Sequence, residues 1–138
     1  MGNANRRKGH ALERLIAKTF RLFGFQYSKT SRATSRLLDD CGVDINFVPF
    51  LIQCKAGYNN NRPKYEDIYR NIKDKLKENY PGDHPNHDLP IVLIHKLNGR
   101  KKELFQWTFR HEDIVEILED YYKTKNELQK LKAKLADE

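Results

Sequence analysis

Apolar residues recur every three or four positions between residues 10 and 23. Ala11, Leu12, Leu15, Ile16, Phe20 and Phe23 fall on one side, with Thr19 among them. That is the spacing of an amphipathic helix, and Gly24 is a natural C-terminal stop. The pattern then alternates over residues 25–31, which predicts a first strand. Residues 32–41 are polar and aperiodic, and predict a loop. Two short apolar runs follow, at residues 44–48 and 50–55, and predict strands joined by a tight turn at Pro49. The second run starts almost wholly apolar, as a strand covered on both faces does. Residues 57–63 predict a polar loop. Residues 64–80 predict a helix with Tyr65, Ile68, Tyr69, Ile72, Leu76 and Tyr80 on one side. A breaker-rich connection over residues 81–88 leads to a buried strand at 89–97. Asn98-Gly99 is a hairpin signal, and residues 103–110 predict the return strand, with Phe105, Trp107 and Phe109 on one core-facing side. A long helix runs from His111 to the end.

The order is helix, three strands, helix, two strands, helix. A strand, a helix and the next strand form a right-handed crossover. The expected fold class is therefore α/β, with a central mixed β-sheet flanked by helices and a long C-terminal helix. One domain accounts for residues 1–120, and residues 121–138 form a helical extension. Within the last helix Ile117, Tyr121, Thr124, Leu128, Leu131 and Leu135 follow a 4-3-4-3-4 spacing. That is a short heptad seam, and it predicts a homodimer contact.

Charge narrows the choice of partner. The 138 residues carry 26 basic and 19 acidic side chains, a net charge of +7. Such a surplus favours a polyanion. No apolar run approaches the roughly 20 residues that span a bilayer, so no membrane partner is expected. The N-terminus has no apolar segment of the secretory kind. Two cysteines, Cys41 and Cys54, do not make a disulfide framework. These features predict a reduced, soluble, cytoplasmic protein.

The chemistry concentrates in residues 42–55. Folding the second run back beside the first brings Asp44, Gln53 and Lys55 to one end of a two-stranded ribbon. Side chains alternate along a strand, so Gln53 and Lys55 share a face while Cys54 points to the other. A carboxylate, an amide oxygen and an ammonium together can hold a hard cation beside a positive charge, as phosphodiester cleavage requires. Asp44 is the expected central metal ligand, and Lys55 the group that neutralises the phosphate and orients the attacking water. Gln53 offers a weaker neutral oxygen, and the Cys54 backbone carbonyl another. Glu13, acidic among apolar neighbours on the first helix, is placed to add a second carboxylate. The expected cofactor is Mg2+ or Mn2+, because magnesium prefers oxygen ligands. Asp44 and Lys55 taken singly are ordinary strand ends; the set is what points to a site.

The ordered set Glu13, Asp44 and Gln53-Cys54-Lys55 resembles the PD-(D/E)XK nuclease superfamily. Val43 stands where that pattern has proline, and Gln53 where it has an acid. The Gly42-Val43-Asp44 run with a Q-x-K resembles Mrr-type nucleases. Arg6-Arg7-Lys8-Gly9 followed by Glu13-Arg14, with Gly24-Phe25 before the first strand, resembles the opening of archaeal-type Holliday junction resolvases. The similarity covers about residues 6–57. It implies a restriction-endonuclease-like core, a metal-dependent endonuclease acting on branched DNA, and a basic opening that binds the DNA backbone. It also implies a hydroxyl before the aspartate, which Ser31, Thr34 or Ser35 matches by type and place. A phage or prokaryotic source is compatible with it.

Arg6, Arg7, Lys8, Arg14, Arg32, Arg36, Arg62, Lys64 and the basic run at residues 99–102 are the candidates for backbone contact. A duplex-cutting restriction or repair nuclease, a non-catalytic DNA-binding relative and an assembly protein built on the terminal helix are the competing readings. His84, His87, Cys41 and Cys54 lack the spacing of a zinc site.

Overall fold

The computed structural model describes residues 2–58, 62–97 and 105–137. The Asn98-Gly99 signal, the basic run at 99–102 and Asn59 to Asn61 lie outside them. The chain divides into two compact units, Met1–Thr108 and Phe109–Glu138. The first is α/β, with a mixed three-stranded sheet flanked by helices.

Helix α1 (Gly2–Phe23) starts earlier than the periodicity predicts, so Arg6, Arg7 and Lys8 lie on helical turns and not on an extended arm. Its buried stripe is Leu12, Ile16, Ala17 and Phe20. It ends where Gly24 takes φ +114°. The Phe25 amide donates to Phe20 O at 3.0 Å and the Gly24 amide to Arg21 O at 3.1 Å. This is a Schellman stop, completed by the Phe25 ring against Phe20, 5.8 Å between centroids. That stop and the Ser28-to-Phe25 turn behind it use up most of the predicted first strand. Only β1 (Lys29–Thr30) remains.

The expected loop at 32–41 is instead two short helices, α2 (Ser31–Thr34) and α3 (Arg36–Asp40). Ser35 Oγ accepts from the Leu38 amide at 3.2 Å and caps α3. Leu38 and Cys41 are thereby buried. The next run forms only β2 (Ile45–Asn46), which pairs antiparallel with β1. The expected ribbon of residues 44–48 with 50–55 is not a ladder. Residues 47–50 bend broadly, with Phe47 at φ +64°. The bend carries β2 away and leaves Asp44 as the point of contact.

The larger sheet has the order β3 (Leu51–Tyr58), β4 (Ile91–Leu97), β5 (Phe105–Thr108). Strands β3 and β4 are parallel, joined through α4 (Tyr65–Asn79), and β5 returns antiparallel. Register places Gln53 beside Leu93 and Lys55 beside His95, with a bulge between Ala56 and Tyr58. Leu51, Ile91 and Leu93 face Ile68, Ile72 and Leu76 of α4 and, with Val43, form one core layer. The pleat turns Ile52 and Cys54 to the opposite side, towards α1. There Phe20 is buried among Phe23, Phe25, Phe50 and Trp107, the last stacked at 5.8 Å. Trp107 is 38% exposed, so it closes the edge of the core and does not lie within it.

The second unit carries α5 (His111–Ala136). Glu112 and Asp113 in its first turn and Lys134 in its last suit the helix dipole. Among the described residues no helix is long and apolar enough to cross a membrane.

Phe20→Ala removes the ring that four aromatics share and should cost about 3–5 kcal/mol. Urea unfolding followed by the fluorescence of Trp107, the single tryptophan, measures it. Leu22→Ala, on an exposed side chain, should stay within about 0.5 kcal/mol. Equal losses in the two variants would contradict the packing described.

Candidate active site at the edge of strand β3

β3 ladders with β4 on one edge. Its other edge is met by Asp44. The Asp44 amide donates to Ile52 O at 2.7 Å, and the Cys54 amide donates to Asp44 Oδ2 at 2.7 Å. On its far side the Asp44 carbonyl accepts from the Ser31 amide at 2.8 Å. Val43 and Ile45, each about 1% exposed, anchor the chain on either side. Backbone and side chain of Asp44 are therefore both fixed, which an aspartate at a loose strand end would not be.

Burial dominates the electrostatics of Asp44. It lifts the carboxyl from 3.8 to about 7. The Cys54 amide opposes the rise, Glu13 and Asp39 add to it, and Lys55 opposes it. Glu13 is likewise raised, first by burial, with the Arg32 guanidinium pulling the other way and Asp39 adding to the rise. Arg32 Nε stands 3.7 Å from Glu13 Oε2. That is an ion pair but too long for a hydrogen bond. Glu13 Oε2 is thus buried without a hydrogen-bond partner. A buried polar oxygen without a partner costs free energy, and an oxygen-seeking cation would relieve it.

The other predicted site residues fall as follows. Lys55 lies within electrostatic reach of Asp44. The pleat puts Gln53 and Lys55 on the α4 face of β3, whereas α1, with Glu13, lies on the Cys54 face. Asp44 occupies the edge between them. Gln53 Nε2 donates to Gly42 O at 3.1 Å, which leaves Oε1 as its remaining polar end. Gly42 has φ +82°, and a Cβ there would stand 3.0 Å from Gln53 Nε2. The Cys54 side chain is buried against the core. Among the three hydroxyl candidates, Ser35 caps α3 and Thr34 Oγ1 donates to Thr30 O at 2.8 Å. Ser31 Oγ is buried with no hydrogen-bond partner, and Ser31 is the one bonded to Asp44.

Basic residues lie along α1 and its two flanks. Arg6, Arg14 and Arg32 all act on His10; burial first and then these charges hold its imidazole below the ordinary value. Lys8 lines a cavity of about 150 Å³ with Ala11, Ala56, Gly57 and Lys96. Arg14, Arg21 and Lys29 line an open groove of about 230 Å³ on the other flank of α1. Arg36 is exposed on α3; Arg62 and Lys64 are exposed before α4.

Sequence reasoning missed one residue and one contact. His95, only 3% exposed, pairs in register with Lys55 and shares its face. Its imidazole is lowered by burial and by Arg62. The signal was a lone polar residue ending the apolar run of residues 91–94. The Arg32–Glu13 pair joins α2 to α1 and leaves no trace in spacing.

Two carboxylates, Asp44 and Glu13, supply hard oxygens here. Among the described residues no three His, Cys, Asp or Glu side chains converge on one point. A cation would therefore complete its shell with neutral oxygens such as Gln53 Oε1 and the Cys54 carbonyl, and with water. No family model matches the chain, and no curated protein or solved structure is significantly similar to it.

The raised carboxyl of Asp44 sets a pH dependence. The folded state holds its proton to about pH 7, the unfolded state only to about pH 4. Stability from this group is thus full below about pH 4 and is lost as pH rises to 7. In EDTA, Asp44→Asn should match the wild type at pH 4 and exceed it by about 2–4 kcal/mol at pH 8. Thermal melts at both pH values check this. A difference that does not vary with pH would show that Asp44 titrates at its ordinary value.

Proposed function

We propose that this chain is a metal-dependent endodeoxyribonuclease of the PD-(D/E)XK kind, acting on branched DNA as a Holliday junction resolvase. One observation carries the reading. Asp44 is locked on the edge of β3 with its carboxyl near neutrality, beside Glu13, whose Oε2 is buried without a hydrogen-bond partner. Two partly buried carboxylates kept at such a disadvantage are better suited to holding a cation than to stabilising the fold.

Mg2+ or Mn2+, held by Asp44 and Glu13 with Gln53 Oε1 and the Cys54 carbonyl, would supply Lewis acidity and an acidified water. The chain's own residues do the rest. Lys55 carries the positive charge that meets the scissile phosphate and orients the attacking water. Asp44, fixed by three hydrogen bonds, holds its oxygens in place without further ordering. Arg32 steadies Glu13, and Ser31 Oγ offers an uncommitted hydroxyl next to Asp44. Lys8, Arg14, Arg21 and Lys29 line the flanks on which phosphates would lie, with Arg6, Arg7, Arg36, Arg62 and Lys64 beyond them. A four-way junction has near two-fold symmetry, so two copies acting together suit it.

The engagement of Gln53 with Gly42 favours one second reading, a DNA-binding relative that no longer cleaves.

The test uses a four-way junction and a linear duplex of matching sequence, with magnesium and then with EDTA. The resolvase reading expects paired nicks near the branch point that need the metal. Asp44→Asn and Lys55→Ala should each lower the rate more than about a hundredfold. Equal cutting of both substrates would make it a duplex nuclease; tight binding without cleavage would make it the binding relative. Magnesium should also raise the melting temperature at pH 8, and not in Asp44→Asn. Arg14→Ala should reduce the salt slope of binding by about one.

A further inference from the structure

Helix α5 buries none of its residues fully. Its seam residues Tyr121, Leu128, Leu131 and Leu135 are each about half or more exposed, from 49% to 63%. A row of large apolar side chains at 3- and 4-residue spacing, left this open, fits a partner helix with the same row. The charges beside the seam say which partner and in which direction.

With Tyr121, Leu128 and Leu135 at the first core position of each heptad, Thr124 and Leu131 take the second. The positions that flank the core are then Asp113, Asp120, Glu127 and Lys134 on one side, Leu118, Lys125 and Lys132 on the other. In a parallel, in-register pair each acid faces the base five residues further along the other helix. Asp120 meets the partner's Lys125, and Glu127 meets the partner's Lys132. Symmetry repeats both contacts, so all four close pairs are attractive. In an antiparallel pair with Leu128 layered on the partner's Thr124, Glu127 would face the partner's Glu127 and Lys125 the partner's Lys125. Only the contacts of Asp120 with the partner's Lys134 would be attractive.

The coarse charge distribution pulls the other way. The first turns are acidic and the last turns basic, and opposite ends attract in an antiparallel pair. Of those charges Glu112 lies on the outer face, farther from the partner than the roughly 8 Å over which salt lets charges act. Asp113 and Lys134 flank the core but, among the described residues, face no like charge in the parallel pair. The flanking pairs, in direct contact, decide.

We infer that α5 docks on a second copy of itself as a parallel, in-register two-stranded coiled coil, with Asp120–Lys125 and Glu127–Lys132 contacts between the chains. This gives the two-copy element of the proposed function a location and an orientation. It stands on α5 alone, so a monomeric nuclease would overturn it and leave the site reading intact. Conversely, loss of cleavage with an unchanged dimer would count only against the nuclease.

Sedimentation of the full chain in 0.15 M salt should give twice the chain mass, with helicity followed by circular dichroism to confirm that variants fold. Lys125→Glu with Lys132→Glu should give a monomer, and so should Asp120→Lys with Glu127→Lys. Mixing the two variants should restore a particle of two chains. Leu135→Cys should cross-link to itself under mild oxidation. A wild-type monomer or trimer, a dimer indifferent to both charge reversals, or a dimer without the Leu135→Cys cross-link would each overturn the inference.

Discussion

The hydrogen bond from the Cys54 amide to the Asp44 carboxylate, 2.7 Å long, joins what the chain keeps apart. A sheet edge normally presents a row of unpaired backbone groups. At β3 a single residue covers part of that row, using its own amide for the Ile52 carbonyl and its side chain for the Cys54 amide. Its carbonyl then receives Ser31, so β3, β2 and the start of α2 all meet at Asp44. The price is a carboxylate taken out of water. Val43 and Ile45 make that burial unavoidable, because each fills the core on either side of it.

Strand β3 serves two interiors. One face joins α4 through Leu51, and the other lies against α1 through Ile52 and Cys54. Gln53 and Lys55 lie at the polar end of the first face, where Gly42 gives the Gln53 amide a carbonyl and His95 sits beside Lys55. Glu13 approaches from the second. The Glu13 charge adds to the rise at Asp44 and Lys55 opposes it, while Arg32 opposes the rise at Glu13.

Long elements were legible because periodicity accumulates over many residues. The stripe Ile68, Ile72, Leu76 gave α4 almost to its ends, and the apolar run from Ile91 gave β4. The α1 stop was legible in Gly24. Short elements were not. Neither α2 nor α3 is long enough to display a 3.6-residue period. Their helicity comes from local bonds such as the Ser35 cap and from the burial of Leu38. β2 was misassigned for the same reason, since what decides its partner is the bend at 47–50 and not its own two residues. Asp44, Gln53 and Lys55 stand out as polar residues at the ends of apolar runs, and Glu13 as an acid among apolar neighbours on a helix. The Arg32–Glu13 contact and the free hydroxyl of Ser31 are products of tertiary placement, and no local pattern encodes them.

The bulge between Ala56 and Tyr58 lies just past Lys55. A one-residue slip in a strand would turn every side chain to the opposite face. A bulge absorbs such an offset locally and bends the strand beyond it. The offset falls beyond Lys55, so Gln53 and Lys55 keep their pairing with Leu93 and His95 while the end of the strand is free to turn.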